Sequence, residues 1–516
     1  MQKSFIFGLL FLIILAGTVS AKAVIPVYDC QTLDKTGGYY QLMNDISTDD
    51  TCFIIGADKI TFDLQGHTVK GVSYLQAVSG ILLNEFDSLV IKNGEIREFN
   101  DGISLSNSEG HRIINMVLDK NKYLGISFNE IANAIIENNQ IKNTQGYGEG
   151  MQIQASHNIT IVNNTLDSNG AGIALYFGGN NLIKKNSITG SNVESGILLD
   201  SSYNNDIIYN NLDFNDEGIT LYDSSYNFIG NNWINNSEGQ GSLFIVRSPN
   251  NVIKDIKIEN SGRYDLKIEI TNESQCDNQI INVTGSNGKP ALYASSTVTW
   301  NNLEASQVIL CNADNSVLNN ITVNSLYPKT NGIQVLEGYS ILLNKVTVNN
   351  TFDGIWIVKS KHVYVKRSNI SNGRYGVYIG GNSHSIGISE NTINKNSQEG
   401  IWLEDTSNDQ IEDNWIEFNG DSGILFEEDV YSIKVHNNFF RNFDNINFGE
   451  GEFVSWNSSL FPGPNIIGGP FIGGNFWANP SGTGFSETCV DSDENGICDQ
   501  QYMVAENNFD YYPLTH

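Results

Sequence analysis

Near the end of the 516-residue chain, Asp491, Asp493, Asn495 and Asp499 alternate with other residues around Gly496. Oxygen side chains at alternate positions, with a Gly that lets the loop turn, suit a hard divalent cation, and Ile497 is placed to add its backbone carbonyl. The motif predicts a structural calcium loop with Asp491, Asp493, Asn495, Ile497 and Asp499 as ligands. It is not a complete EF-hand, because Tyr502 stands where the twelfth-position Glu would be. Cys489 and Cys498 bracket the loop, so a disulfide between them would hold it closed.

A second constellation emerges only from a repeat. A Gly followed by an aliphatic residue recurs from Gly80-Ile81 to Gly218-Ile219 and again from Gly332-Ile333 to Gly423-Ile424, at steps of 22 to 25 residues. The intervening 114 residues equal five such steps, so the phase is expected to run through. If turns stack, residues one and three places after each Gly point inward and residues two and four places after it point outward. The outward position then reads Trp356, Tyr378 and Trp402 on three consecutive turns, with Glu404 and Glu427 two places further along on the last of these and the next. Successive rings about 4.8 Å apart, and about 10 Å from Trp356 to Trp402, would make a strip near a disaccharide in length. Aromatic faces that stack on sugar C–H groups, flanked by carboxylates that accept hydroxyl hydrogen bonds, are the chemistry of a neutral glycan groove. Glu404 and Glu427, about 5 Å apart, also come near the carboxylate spacing of retaining glycosidases. Asp200 and Asp223 form a similar pair, so that spacing does not by itself mark a catalytic site.

The elements that must position these side chains follow from the pattern inside each repeat. Apolar residues alternate over three to five positions, as in Ile197 and Leu199, which is strand rather than helix periodicity. Asn-Asn pairs and Ser-Ser-Tyr-Asn turns separate the strands. Three short strands per repeat cannot bury a face alone, but stacked turns pair each strand in parallel with its equivalent in the next. The prediction is an all-β fold, a right-handed parallel β-helix of roughly 16 turns and about 75 Å, with one continuous Ile/Leu/Val core and stacked Asn amide ladders. A leucine-rich repeat has an overlapping period, but here the recurring residue is Ile and no unit holds a ten-residue helical stretch.

The ends and the composition set the remaining expectations. Lys3 followed by the apolar run Phe5 to Ala16 reads as an export signal, residues 1–21, cleaved after Ala21 or Ala23. No later apolar run reaches a membrane-spanning length, so no membrane span is expected in the mature chain. Six cysteines in an exported chain predict the local disulfides Cys30–Cys52, Cys276–Cys311 and Cys489–Cys498. With a formal net charge of -29, nucleic acid is excluded as a partner, because that affinity rests on Lys and Arg neutralising phosphates. There are 69 Asn and 49 Gly, a composition unlike that of a helical protein. Five of nine Pro lie beyond Ser459, where the Gly-Ile beat has stopped. The expected organisation is therefore an N-terminal cap with the first turns over 24–72, the β-helix over 73–449 and a C-terminal capping module carrying the calcium-type loop over 450–516.

The opening "YDCQTLDKTGGYYQLMNDISTDDTCFIIGADKITFDLQGHTVKG" resembles the N-terminal cap of exported right-handed β-helix proteins, the broad group of carbohydrate-binding and sugar-hydrolase domains that includes NosD-like proteins. The tail "GGNFWANPSGTGFSETCVDSDENGICDQQYMVAENNFDYYPL" resembles the C-terminal module of NosD-like surface proteins, many of them archaeal, and points to calcium in the same loop. The resemblance covers nearly the whole mature chain and implies the fold and an exported, extracellular or cell-surface location. It leaves activity open, since the group spans lyases, hydrolases, epimerases and non-catalytic proteins. The Gly-His-Gly and Arg-Ile-Lys strings of pectinolytic β-helix enzymes do not occur. The copper or zinc that the NosD name implies lacks ligand spacing among the seven His, which show no i, i+2 or i, i+4 pairing. The expected function is a non-catalytic exported protein that binds a polysaccharide or cell-surface glycan or forms part of an envelope. The alternative is a polysaccharide hydrolase or lyase using acids such as Glu404 and Glu427.

Overall fold

The computed structural model describes residues 22–72, 78–325, 330–449 and 454–516. The expected export signal, 1–21, lies outside the described residues. The chain is an all-β solenoid of about 18 turns. That exceeds the expected 16 because two turns without the Gly-Ile beat, carrying the strands Gln31–Leu33 and Phe53–Ile55, stack ahead of the strand Ser79–Asn84.

The beat fixes the register. Ile103 pairs in parallel with Ile126, and the column continues through Met151, Ile173, Ile197, Ile219, Leu243 and Leu266. All eight side chains are buried, so each turn passes its inward face to the next. The Gly before the column is required by close approach: a Cβ on Gly172 would lie 2.3 Å from the Gly196 carbonyl oxygen and 2.5 Å from Ile188 Cγ2.

The Asn-Asn pairs divide their work. Asn138, Asn163 and Asn231, the first of their pairs, turn the chain in the left-handed region at φ 57, 55 and 54°. The residue after each of these left-handed turns points inward, also where Lys185 or Tyr209 rather than Asn makes the turn. Asn139, Asn164, Asn186, Asn210 and Asn232 form a buried amide ladder, each Oδ1 after the first accepting from the backbone N–H and Nδ2 of the preceding turn's Asn. Asn210 Nδ2 also donates to the Ile183 carbonyl at 3.0 Å, so both of its amide hydrogens are used inside the stack.

Contrary to expectation, the stack is not one continuous core. The column that starts at Gln31–Leu33 ends at the strand Leu266–Glu269, beyond which no strand pairs among the described residues. In place of a strand, Gln307 acts as a substitute peptide: its Oε1 accepts from Leu266 N–H at 3.3 Å and its Nε2 donates to the Leu266 carbonyl at 2.8 Å. Ahead of this point the strand Val283–Thr284 pairs antiparallel with Pro290–Ala294, reversing the chain. A second column then runs Val308, Ile333, Ile355, Val377, Ile401, Ile424 and Ile446. The number of steps between Gly218 and Gly332 survives, but the stacking between them does not. The strand Gln307–Cys311 is buried on both faces: Val308 and Leu310 enter the second core, while Ile309 and Cys311 close the end of the first. The Cys276–Cys311 disulfide staples this cover to the first stack.

The other expected disulfides, Cys30–Cys52 and Cys489–Cys498, are also present. The ladder runs on past residue 450: Val454–Ser455 pairs with Ile433–His436 and Phe476–Ala478 with Phe439–Arg441. The tail therefore supplies the last rungs as well as a small core of its own around Phe439, Phe476, Ile497 and Leu514.

Candidate functional site

The structure brings Trp356, Tyr378 and Trp402 together on the outward face of the second stack, in direct register. The strip is more compact than the alternation rule predicts. Trp356 stacks on Tyr378 with centroids 3.8 Å apart, and Trp402 folds edge-on over Tyr378 at 4.8 Å. Trp356 and Trp402 are consequently 6.4 Å apart rather than the expected 10 Å, and Tyr378 is only 7% exposed. Side-chain rotamers, which turn spacing does not set, account for the difference: edge-to-face contact is preferred to an open row. The two Trp side chains remain half-buried.

Glu404 and Glu427 lie where the register puts them, but each is tied to the strip. Tyr378 Oη donates to Glu404 Oε2 at 2.7 Å, and Trp402 Nε1 donates to Glu427 Oε2 at 3.1 Å. Burial, with the Glu404 carboxylate beside it, pushes the Tyr378 phenol up. The carboxylates fix the rings' polar edges. Of the other acidic pair, Asp223 is bound by Arg247 at 2.7 Å.

The strip ends in a cleft that the sequence did not reveal. Trp356 also forms part of the wall of a cavity of about 410 Å³ between the last strand of the first stack and the outward face of the second. From the first stack come Tyr264, Lys267, Ile268 and Ile270, and from the second Asn331, Leu336, Asp353, Val358 and Arg374. Its charged groups are internally matched. Lys267 pairs with Glu269 at 2.6 Å, Lys359 with Glu337 at 3.5 Å, and Arg374 clamps Asp353 with bonds of 2.9 and 3.1 Å. Lys359 also donates to the Thr271 carbonyl, bridging the two stacks.

Several of these residues occupy one position, immediately before the beat. Asp101, Glu149, Glu217, Tyr264, Asn331, Asp353 and Glu399 all stand there. Burial raises the carboxyls of Asp101 to about 6 and of Glu149 to about 7, and lifts those of Glu217, Asp353 and Glu399. Glu149 Oε1 accepts from Tyr176 Oη at 2.7 Å, while its Oε2 is buried without a hydrogen-bond partner. An acid or amide directly before the Gly was the available signal. Sequence reasoning passed over it because attention went to the residues after the Gly.

In the tail, carboxylate oxygens of Asp491, Asp493 and Asp499 lie within 4.8 Å of one another. Asn495 Oδ1 accepts from the Ile497 N–H at 2.8 Å, which holds the side chain beside these carboxylates and leaves that oxygen a second lone pair. The seven His, unpaired in sequence, include one spatial pair, because stacking sets residues one turn apart side by side. His362 and His384 have ring centroids 6.1 Å apart.

The comparisons with known proteins follow this geometry. Residues 268–482, the second stack and the start of the tail, match the family described as "Periplasmic copper-binding protein (NosD)". Residues 50–188 and 102–253 match the right-handed β-helix region family. The chain is a right-handed parallel β-helix protein that resembles the NosD family. No curated protein matches it. Among solved structures it is similar to ORF18 of Geobacillus virus E2, at 15% identity over 51% of this chain and 50% of that one, with a TM-score of 0.30. The chain thus spans half the length of that protein. It is also similar to DFA-IIIase from Arthrobacter chlorophenolicus A6 without its lid in complex with GF2, at 11% identity over 64% and 83%, TM-score 0.32. A third likeness is to the A-module of an Azotobacter vinelandii mannuronan C-5 epimerase, at 14% identity over 81% and 90%, TM-score 0.21.

The residues of this NosD-like protein do not fit copper. All six Cys are in disulfides, and among the described residues the carboxylate trio is the one group of three metal-ligating side chains. Hard oxygen donors suit calcium, whereas copper prefers imidazole and sulfur. The disulfides and the periplasmic family are consistent with export, and among the described residues no helix is long and apolar enough to cross a membrane.

Proposed function

We propose that this β-helix is an exported, non-catalytic surface protein that binds a neutral glycan on the outward face of its second stack. The observation that carries the reading is the double position of Trp356, at once the end of the aromatic strip and a wall of the cleft. The strip supplies ring faces for sugar C–H groups, and the adjoining carboxylates accept hydroxyl hydrogen bonds. An array of neutral oligosaccharides tests it. Binding should quench or shift tryptophan fluorescence, and Trp402→Ala should weaken that response about tenfold. A silent array, or hits indifferent to Trp402→Ala, would remove the reading.

The tail loop is read as a calcium site through Asp491, Asp493 and Asp499. A ligand that binds only the folded form stabilises it by about 2.7 kcal/mol at a hundredfold excess over its dissociation constant. EDTA should lower the melting temperature of the wild-type chain and leave Asp491→Ala/Asp493→Ala unmoved. An EDTA-indifferent wild type makes the loop a plain turn.

One observation favours a second reading, a polysaccharide-active enzyme centred on Glu149 rather than on Glu404 and Glu427. A buried carboxyl that holds its proton to about pH 7 beside Glu194 is suited to general acid work. Product analysis on each array hit decides: new reducing ends formed by wild type and lost in Glu149→Gln would favour the enzyme.

A further inference from the structure

We propose that the cleft between the two stacks seats the terminal sugar residue of a neutral glycan whose following residues lie along Trp356 and Trp402, with Tyr378 packed beneath them. The inference rests on the reading of the strip as a glycan surface and adds a direction to it: recognition of a chain end rather than of a chain interior.

Three features of the cleft point this way. Its volume of about 410 Å³ sits toward the small end of the roughly 300–1,000 Å³ typical of small-molecule sites, which suits a single sugar ring or two rather than a passing polymer. The first stack's last strand forms one wall, so the strip, open along the second stack, meets that wall at Trp356.

Its electrostatics select a neutral ligand. Each cation on the rim already has its own anion, Lys267 with Glu269, Lys359 with Glu337 and Arg374 with Asp353. A uronate or a phosphate would have to break one of these pairs, and breaking a buried pair such as Arg374–Asp353 leaves an uncompensated charge. A hydroxyl can instead donate to a carboxylate without displacing its partner.

The cleft also holds an unused acceptor. Asn331 is 3% exposed and its Oδ1 has no hydrogen-bond partner. Buried acceptors are rarely left empty, because the desolvation cost is then uncompensated. This oxygen is covered as the side chain stands, so a rotation of the Asn331 amide must turn it toward a sugar hydroxyl, while the apolar edges of Leu336 and Val358 suit the ring's C–H groups.

The test uses the full chain and a probe set of maltohexaose, cellohexaose, laminarihexaose, mannohexaose and xylohexaose, read by tryptophan fluorescence, with the matching free monosaccharide as competitor. Val358→Trp fills the cleft, and Asn331→Ala removes the acceptor with little change of volume should the larger residue disturb folding. Melting curves confirm that each variant is folded. The expected result is that the monosaccharide competes with its hexaose and that each cleft variant weakens hexaose binding about tenfold. Binding that Trp402→Ala weakens but both cleft variants leave unchanged would overturn end recognition and keep the strip. No response to any of the five probes would overturn both.

Discussion

On the first stack the residue two places past the beat runs Leu82, Ser104, Ser127, Gln152, Ala174, Leu198, Thr220, Phe244 and Lys267; on the second it runs Gln334, Trp356, Tyr378, Trp402 and Leu425. The inward columns of the two are interchangeable Ile, Leu, Val and Met, and both stacks hold Asn ladders, Asn139 to Asn232 in one and Asn391, Asn414, Asn438 and Asn475 in the other. The scaffold is thus indifferent to what stands outward, because parallel ladders bond through the backbone and pack through the inward face. That freedom is where the stacks diverge: a mostly small face with a single aromatic, Phe244, on one, and an aromatic cluster ending at a cleft on the other. A solenoid can acquire a site by changing every twenty-third residue or so on one face, at little cost to its core.

The shared ladder should be the most expensive feature to disturb. Asn210→Ala removes an amide that accepts from Asn186 and donates to Asn232 and Ile183. Stranding several buried groups is expected to cost about 3 kcal/mol. Asn414→Ala, its counterpart in the second stack, should cost the same within about 1 kcal/mol. Urea midpoints at unchanged slope measure both, and a large inequality would break the claim that the two scaffolds are equivalent.

The junction comes next. Gln307→Leu leaves the Leu266 N–H and carbonyl without their substitute partner, at a cost of about 2 kcal/mol. Because a solenoid's stability is a sum of local terms, calorimetry should then resolve the first and second stacks as separate transitions. A single unmoved transition would mean that the shared strand and the Cys276–Cys311 staple hold the two together without that amide.

A smaller effect concerns one irregular rung. Asp409 occupies the ladder position held by Asn205, Asn227 and Asn251 in the first stack, accepting from Ile386 N–H and Thr406. Burial lifts its carboxyl to about 7, above an unfolded value of about 3.9. The folded chain keeps this proton where the unfolded chain has lost it, so the group's contribution to stability falls as pH rises from about 4 to about 7 and stays low above that. Asp409→Asn should therefore be about 1–3 kcal/mol more stable than wild type near pH 8 and nearly equal to it near pH 4. Denaturation at both pH values checks the sign, and a variant less stable at the higher pH would refute it.

The smallest effect separates the outward faces themselves. Trp402→Ala loses ring contacts with Tyr378, Tyr375 and Trp356 and should cost about 1 kcal/mol. Leu198→Ala, at the same outward position on the first stack, should stay within about 0.5 kcal/mol. Equal costs would show that the aromatic cluster does nothing for the scaffold.

The repeat, the strand assignment, the inward and outward register and all three disulfides were legible in the order of residues. Each is local or recurs at one-turn spacing: Gly172 must be Gly because the next turn's carbonyl passes over it, and Asn164 is Asn because its amide ladders, while Asn163 has only to turn the chain, as Lys185 and Tyr209 do in later turns. The sequence likewise determined which residues form the aromatic strip. Only the tertiary structure decided that the solenoid breaks at Leu266, that Gln307 replaces a strand there, and that Tyr264, Asn331 and Trp356 meet around one cleft. The physical reason is that a break in stacking leaves no mark in a period: the steps from Gly218 to Gly332 still add up, while the pairing they imply depends on a hairpin at Val283–Thr284 and a strand buried on both faces. Rotamers were equally out of reach. The register put Trp402 one turn beyond Tyr378, but packing alone folded it over that ring and brought it to 6.4 Å from Trp356.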